Sequence, residues 1–350
     1  MELLIFSIPF VVAAVLLIFF RKQTVWWEYP ALIVPSIIIA LLLELCCKAY
    51  NATDTEYLGS YITKIRHEDS WNEYIHRTCT KVVACGKDKD GNTIYKTVTY
   101  DCSYVRDHPD FWMYFTNTGN TDYISEQEYS RLRWQFGTPM RFIDMHRDYY
   151  TKDGDAQEYD FDGDWRKART LSESHKYQNK VQTSRSIFKF EEISDRKADS
   201  LGLYRYPAII DDDQCPFIGY TADKYTEKRF RWLNARLGKQ CQFRTYLLFY
   251  RNQPVSIVEK QRSYWQGANK NEMIVCIGID SSDRVQWCEC LSWSDEPRLE
   301  AKTKQFFLES DSLRLIDYAD LLFRWVPRDW HRKKFEDFSY ITVELSDTQY

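Results

Sequence analysis

The sequence predicts an α+β protein: an N-terminal transmembrane helical hairpin, then a region containing a β-hairpin, then a C-terminal α/β sandwich. Three observations carry this prediction. Two apolar runs lie within the first 47 residues. A stretch rich in Val, Thr, Ile and Tyr turns back on Asp90-Gly91. Beyond residue 217, strand patterns alternate with helix patterns, the order expected of an α/β layer structure. The matching division is a two-helix anchor over 1–48, a β-rich region with a long hairpin and acidic loops over 49–216, and an α/β sandwich domain over 217–350.

The anchor comes first. Residues 3–20 carry no charge, and about 18 residues is close to the minimum for a helix that crosses a bilayer core. A secretory signal places positive charge before its apolar run and small residues at a cleavage site after it. Here only Glu2 precedes the run, Arg21 and Lys22 follow it, and bulky Ile18, Phe19 and Phe20 stand where a peptidase needs small side chains. An uncleaved span is expected. The second run, ALIVPSIIIALLLELCC over 31–47, follows the turn RKQTVWWEYP, whose Trp26, Trp27 and Tyr29 suit the headgroup layer. Pro30 fits the first turn of the new helix. Glu44 lies near the helix end, one turn before Lys48, and is expected to reach toward the headgroups or to pair with Lys48 at i,i+4 rather than to form an intramembrane site. Arg21 and Lys22 on the connecting turn, against Lys48 alone just after the second run, put that turn in the cytoplasm. The soluble body then lies on the extracytoplasmic side of a two-pass membrane protein.

Composition describes the remainder as a folded body. Aromatic residues make up 16% of the chain, with only 12 Gly and 10 Pro, which supports large apolar burial. A net charge of −4 creates no overall field for nucleic acid, and none is expected as a partner. The expected partners are the lipid bilayer and a protein. Of the 10 cysteines, none stands in a paired CxxC zinc spacing. Cys288 and Cys290 share one face if their segment is a strand, and are expected to be half-buried thiols.

Along the soluble part, strands over 78–84 and 93–100 meet at Asp90-Gly91. That pairing brings Cys79 and Cys102 roughly opposite one another, where a disulfide forms if the compartment is oxidising. Ser125 with Glu128 is a capping box for a helix ending at Gly137. Next comes the most acidic stretch. Asp153, Asp155, Asp160, Asp162 and Asp164 could bind a hard cation such as calcium through oxygen. They depart from the EF-hand pattern, with Glu158 in place of the central Gly and Asp164 in place of the final Glu. Two exposed Asp-Gly turns are the alternative. His146 and His175, isolated in sequence, are expected to be hydrogen-bonded structural histidines. Residues 194–216 read as loop and as a soft domain boundary. A helix over 222–237 follows, stopped by Gly238, with Phe230, Leu233 and Leu237 on one face and a basic, solvated opposite face. Strands are expected over 242–250, 272–279 and 284–293, helices over 299–308 and 312–325, and a last strand over 340–345. Residues 256–265 fit either a helix or a strand.

No GxSxG, P-loop, GxGxxG or HExxH motif occurs. The polar loop before the 272–279 strand contains Asn269, Lys270, Asn271 and Glu272. These either contact a ligand or partner or complete the turn into the strand.

The strings WNEYIHRTCT, TVTYDCSYV, HPDFW, DMHRDYYTKDGD, YWQGANKNE and FEDFSYITVE resemble an uncharacterised family of two-span membrane proteins of Bacteroidetes-type bacteria and their tailed phages. The likeness runs from about Asp54 to Glu344 and implies no activity. The arrangement from YLLFY to CECLSW resembles, in topology, the TPM domain, whose members are membrane-tethered α/β modules. Some of these are linked to phosphatase activity or metal binding, which implies a metal site near the acidic loops. Two functions follow. One is a membrane-anchored binding or assembly module acting through protein contacts at the bilayer surface. The alternative is a membrane-tethered, metal-dependent hydrolase using the acidic stretch with His146. A bacterial or phage-encoded modifier of the host envelope is a third reading.

Overall fold

Both apolar runs are helical in the computed structural model, which describes residues 2–20, 22–23, 25–137, 140–143, 150–152, 155–180, 190–207, 215–310, 312–334 and 341. Helix α1 covers Glu2–Phe20 and α2 covers Glu28–Asn51, and the two touch. Among the described residues α2 is the one helix long and apolar enough to cross a membrane, with a mean hydropathy of 2.3 over its most apolar window and none of that window buried. Glu44 and Lys48 form the expected ion pair. Only Ala52 separates α2 from strand β1 (Thr53–Glu68), and it is buried. The described chain holds eight helices and several sheets.

Two compact units divide the chain: residues 1–59 together with 172–350, and residues 60–171. The expected boundary in 194–216 falls within the first of these. That segment also contains a short helix, α4 (Asp195–Leu201), capped by the Ser194 hydroxyl, so it is not all loop.

In the 60–171 unit, β1 pairs antiparallel with β6 (Phe111–Thr116) on one side and β10 (Ala156–Asp160) on the other. Strands β7 (Thr121–Tyr123) and β8 (Met140–Ile143) flank them. Helix α3 (Glu126–Phe136) begins as its capping box predicts, with the Ser125 hydroxyl accepting the Glu128 N–H at 3.2 Å, and ends at Gly137. Its Tyr129, Leu132 and Phe136 recur at helical spacing and bury against Ile62, Ile65 and Tyr159. On the same sheet Arg66, Glu158 and Arg141 stand directly opposite one another on three adjacent strands. A second sheet holds β2 (Trp71–Ile75), β5 (Tyr104–His108) and β9 (Tyr150–Lys152). The predicted hairpin is β3 (Thr78–Lys87) with β4 (Thr93–Asp101), a two-stranded ribbon.

The other unit is built on four strands in the order β12 (Phe217–Ile218), β13 (Arg244–Arg251), β14 (Glu272–Ile279), β15 (Val285–Ser292). The first three run parallel and β15 runs antiparallel. Their near-continuous apolar sequences match strands covered on both faces, and every residue of β13 and β14 except Arg251 is buried. Side chains alternate between two cores. Leu247, Phe249, Val275 and Ile277 join one with α5 (Lys224–Cys241), α7 (Arg298–Leu308) and α8 (Leu315–Asp329). Tyr246, Leu248, Ile274 and Cys276 join the other with α4 and α6 (Ile257–Tyr264), which resolves 256–265 as helix. Strand β11 (Thr170–Gln178) pairs with β1.

Helix α5 does not stop at Gly238 but runs to Cys241. Gly238 is there because the Gly59 backbone presses on it. A Cβ on Gly238 would lie 2.3 Å from the Gly59 carbonyl oxygen, and one on Gly59 would lie 2.4 Å from that of Asn234. The expected final strand falls outside the described residues apart from Ile341, which is buried.

Candidate functional site

The loop singled out by sequence turns out to be buried. Asn271 donates its side-chain N–H to the Tyr57 carbonyl at 2.8 Å, while its own carbonyl accepts the Arg244 N–H at 2.8 Å. The Glu272 carboxylate accepts from the Tyr206 hydroxyl and, at 3.0 Å, from the Asn269 backbone N–H. Burial pushes the Glu272 carboxyl above its ordinary value, and these hydrogen bonds and the Arg244 charge work against that rise. Arg244, also buried, donates to the Tyr246 hydroxyl at 2.8 Å and to Ser172 at 3.1 Å. Asn269, Asn271 and Glu272 therefore complete the turn into β14. Asn269 also lines a small polar hollow of about 200 Å³ with Asp54, Tyr57, Asn179 and Tyr206.

Lys270 is different. Its side chain is 2% exposed, with Nζ 5.9 Å from the Tyr177 ring centre. It lines a cleft of about 260 Å³ with His175 and Tyr177 from β11 and with Arg332, Lys333 and Lys334. Arg332 lies 5.3 Å from the same ring. Its guanidinium is held by the Glu56 carboxylate at 2.7 Å and the Gln242 side-chain oxygen at 2.7 Å. Glu56 is fully buried, and its other oxygen meets His175 Nδ1 at 2.8 Å. The Tyr177 hydroxyl donates to Asp54 at 3.1 Å, and burial, then the charges of Asp54 and Glu56, keep that phenol protonated. Sequence reasoning missed Glu56, Tyr177 and Arg332. Glu56 gives a weak signal as an acid on a strand whose neighbours alternate; the other two give none, because their partners are distant in sequence.

The acidic stretch is arranged otherwise. Asp153 and His146 lie outside the described residues. Asp162 pairs with Lys167 at 2.6 Å and Asp164 with Arg166 at 2.9 Å, and these cations hold both carboxyls below their ordinary value. Asp160 lies 3.6 Å from Arg141, and Asp155 uses its backbone carbonyl to accept the Asp69 N–H. Among the described residues no three His, Cys, Asp or Glu side chains gather as a metal would need.

The ribbon is the remaining feature. Cys79 and Cys102 are paired across its base with Cα atoms 5.8 Å apart. Asp88 shapes the tip by accepting the Asp90 and Asn92 N–H groups at 3.0 and 2.8 Å. Val82 and Tyr95 are each 66% exposed, and Val83, Ile94, Val98 and Tyr100 are also exposed. Cys276, Cys288 and Cys290 are buried, and the Cys290 thiol is raised by its hydrogen bond with Cys288 and by burial, which keeps it protonated and inert. The chain matches no protein-family model, no curated protein and no solved structure.

Proposed function

We propose that this protein is a membrane-anchored assembly module that works through protein contacts made by its β3–β4 ribbon. The observation that carries the reading is the ribbon's exposure. Its two strands pair only with each other among the described residues, and apolar side chains stand in solvent on both faces. On the Val82 and Tyr95 face and on the Val83 and Val98 face alike, β-branched and aromatic residues offer a surface that a partner would cover. A lone two-stranded hairpin is marginal in water, and the Cys79–Cys102 pair at its base supports it as a projecting arm.

The anchor is a two-pass hairpin in this reading. At about 1.5 Å per residue α2 is about 36 Å long and α1 about 28 Å, against a hydrocarbon core of about 30 Å. The body is extracytoplasmic: Arg21 and Lys22 favour a cytoplasmic turn, and a paired Cys79–Cys102 suits an oxidising compartment. Helices over both faces of the β12–β15 sheet support an α/β sandwich in that unit.

Crosslinking in intact membranes, followed by extraction of the full-length chain in mild detergent, is expected to yield a stoichiometric complex with a protein. The double variant Val82→Asp, Tyr95→Asp should lose that complex while staying in the membrane fraction with an unchanged circular dichroism spectrum. Recovery of the single chain alone from wild type and variant alike refutes the assembly role.

A further inference from the structure

We propose that the cleft lined by Lys270, Arg332, Lys333 and Lys334 holds the phosphate of an anionic lipid headgroup. Four cationic side chains converge on it, and no acidic side chain lines it among the described residues. The nearest carboxylates stand outside the lining, and two of them hold cleft cations. Glu56 lies behind the wall between Arg332 and His175, Asp54 takes the Tyr177 hydroxyl and the Asn179 side-chain N–H, and Asp295 sits 3.6 Å from Lys333. The site is built before any ligand arrives. Arg332 is clamped by Glu56 and Gln242, and both Arg332 and Lys270 lie against the Tyr177 ring, so little side-chain freedom is left to lose. A planar guanidinium beside ammonium groups in a partly dehydrated recess is the donor set that phosphate recognition uses.

Size and position narrow the ligand. At about 260 Å³ the cleft is smaller than sites that enclose a whole cofactor, about 300–1,000 Å³, but it admits a phosphate group. The Asn179 N–H donates to the Ala52 carbonyl at 2.6 Å, at the residue that ends α2. Tyr177, which forms the cleft wall, is two strand residues away, about 7 Å. The headgroup layer is about 5–8 Å thick on each side of the core. This step rests on the membrane placement of α2 given under Proposed function. A phosphodiester at the end of that helix lies within reach, and a soluble phosphate shares the same chemistry.

The test uses the full-length chain in neutral detergent. It is titrated separately with short-chain phosphatidylglycerol, short-chain phosphatidylcholine and inorganic phosphate, and read by retained adducts in native mass spectra. Phosphatidylglycerol is expected to bind far better than phosphatidylcholine. The double variant Lys333→Gln, Lys334→Gln should weaken it about thirtyfold. Lys270→Gln should weaken it as well, with folding of each variant checked by melting. Equal retention of both lipids, or an unchanged affinity in the double variant, overturns the proposal. Inorganic phosphate binding without competition from phosphatidylglycerol overturns the lipid assignment. Alkaline carbonate extraction separates the two readings: release of the chain from membranes defeats the anchor, whereas an embedded chain that retains no anionic lipid defeats the cleft alone.

Discussion

Glu158 is 1% exposed, yet it remains charged because three cations reach it: Lys64 at 2.9 Å, Arg66 at 2.6 Å and Arg141 at 2.7 Å. Burial raises its carboxyl, but the hydrogen bonds and charges of Lys64 and Arg66 outweigh that and hold it below the ordinary value of 4.5. A carboxyl depressed in the folded state binds fewer protons there than in the unfolded chain. Its contribution is therefore complete above about pH 4.5 and fades as pH falls through the lower folded value. Glu158→Gln leaves three cations facing one another. The expected loss is about 2–3 kcal/mol, less than for a wholly buried pair because the cations remain partly in water. Urea unfolding at pH 7 and at a pH well below 4.5 measures it, and the gap between wild type and variant should be smaller at the lower pH. An equal gap at both pH values would show that charge is not the cause. The same cluster marks what the sequence conceals. Arg66 and Glu158 are 92 positions apart, and Glu56 and His175 119 apart. Nothing near any of them announces the partner, whereas Glu44 and Lys48 were legible because one helical turn joins them.

Elements became legible where their signals were local. Asp90-Gly91 fixed the ribbon, Ser125 with Glu128 fixed the start of α3, and the apolar run from Met273 to Ile279 fixed β14. Gly238 misled because a glycine after an apolar helical pattern looks the same whether it caps a helix or admits a neighbouring backbone, and only Gly59 distinguishes the two. Residues 256–265 stayed open because α6 has only eight residues, too few for periodicity to separate helix from strand. The ribbon also tests how far one element stands alone. Its registered pairs run from Thr78 opposite Asp101 to Lys87 opposite Thr93, and among the described residues no further strand joins its sheet. Removing the tether with Cys79→Ser and Cys102→Ser should cost the ribbon about 3 kcal/mol of local stability. Amide hydrogen exchange is expected to speed up across 78–101 and stay unchanged in β13 and β14. Unaltered protection in the ribbon would show that its strands hold without the pair.

At the scale of the whole molecule, α2 passes into β1 without a hinge. Ala52 is buried, its carbonyl holds the Asn179 N–H, and the Thr53 hydroxyl donates back to the Ala49 carbonyl at 2.8 Å. If α2 spans a membrane as proposed, the chain beyond it emerges on one side of the bilayer, and its cysteines report which. Cys85 and Cys215 are exposed and free, Cys276, Cys288 and Cys290 are buried, and Cys79 and Cys102 are paired. Burial raises the Cys215 thiol, so Cys85, on the ribbon, should react faster. A membrane-impermeant maleimide added to intact cells is expected to label Cys85 first and Cys215 more slowly. After mild reduction Cys79 and Cys102 should join them, with the buried three silent until denaturant is added. Labelling that appears only after lysis would place the body in the cytoplasm, where the pairing of Cys79 with Cys102 would lose its oxidising compartment and the ribbon its support.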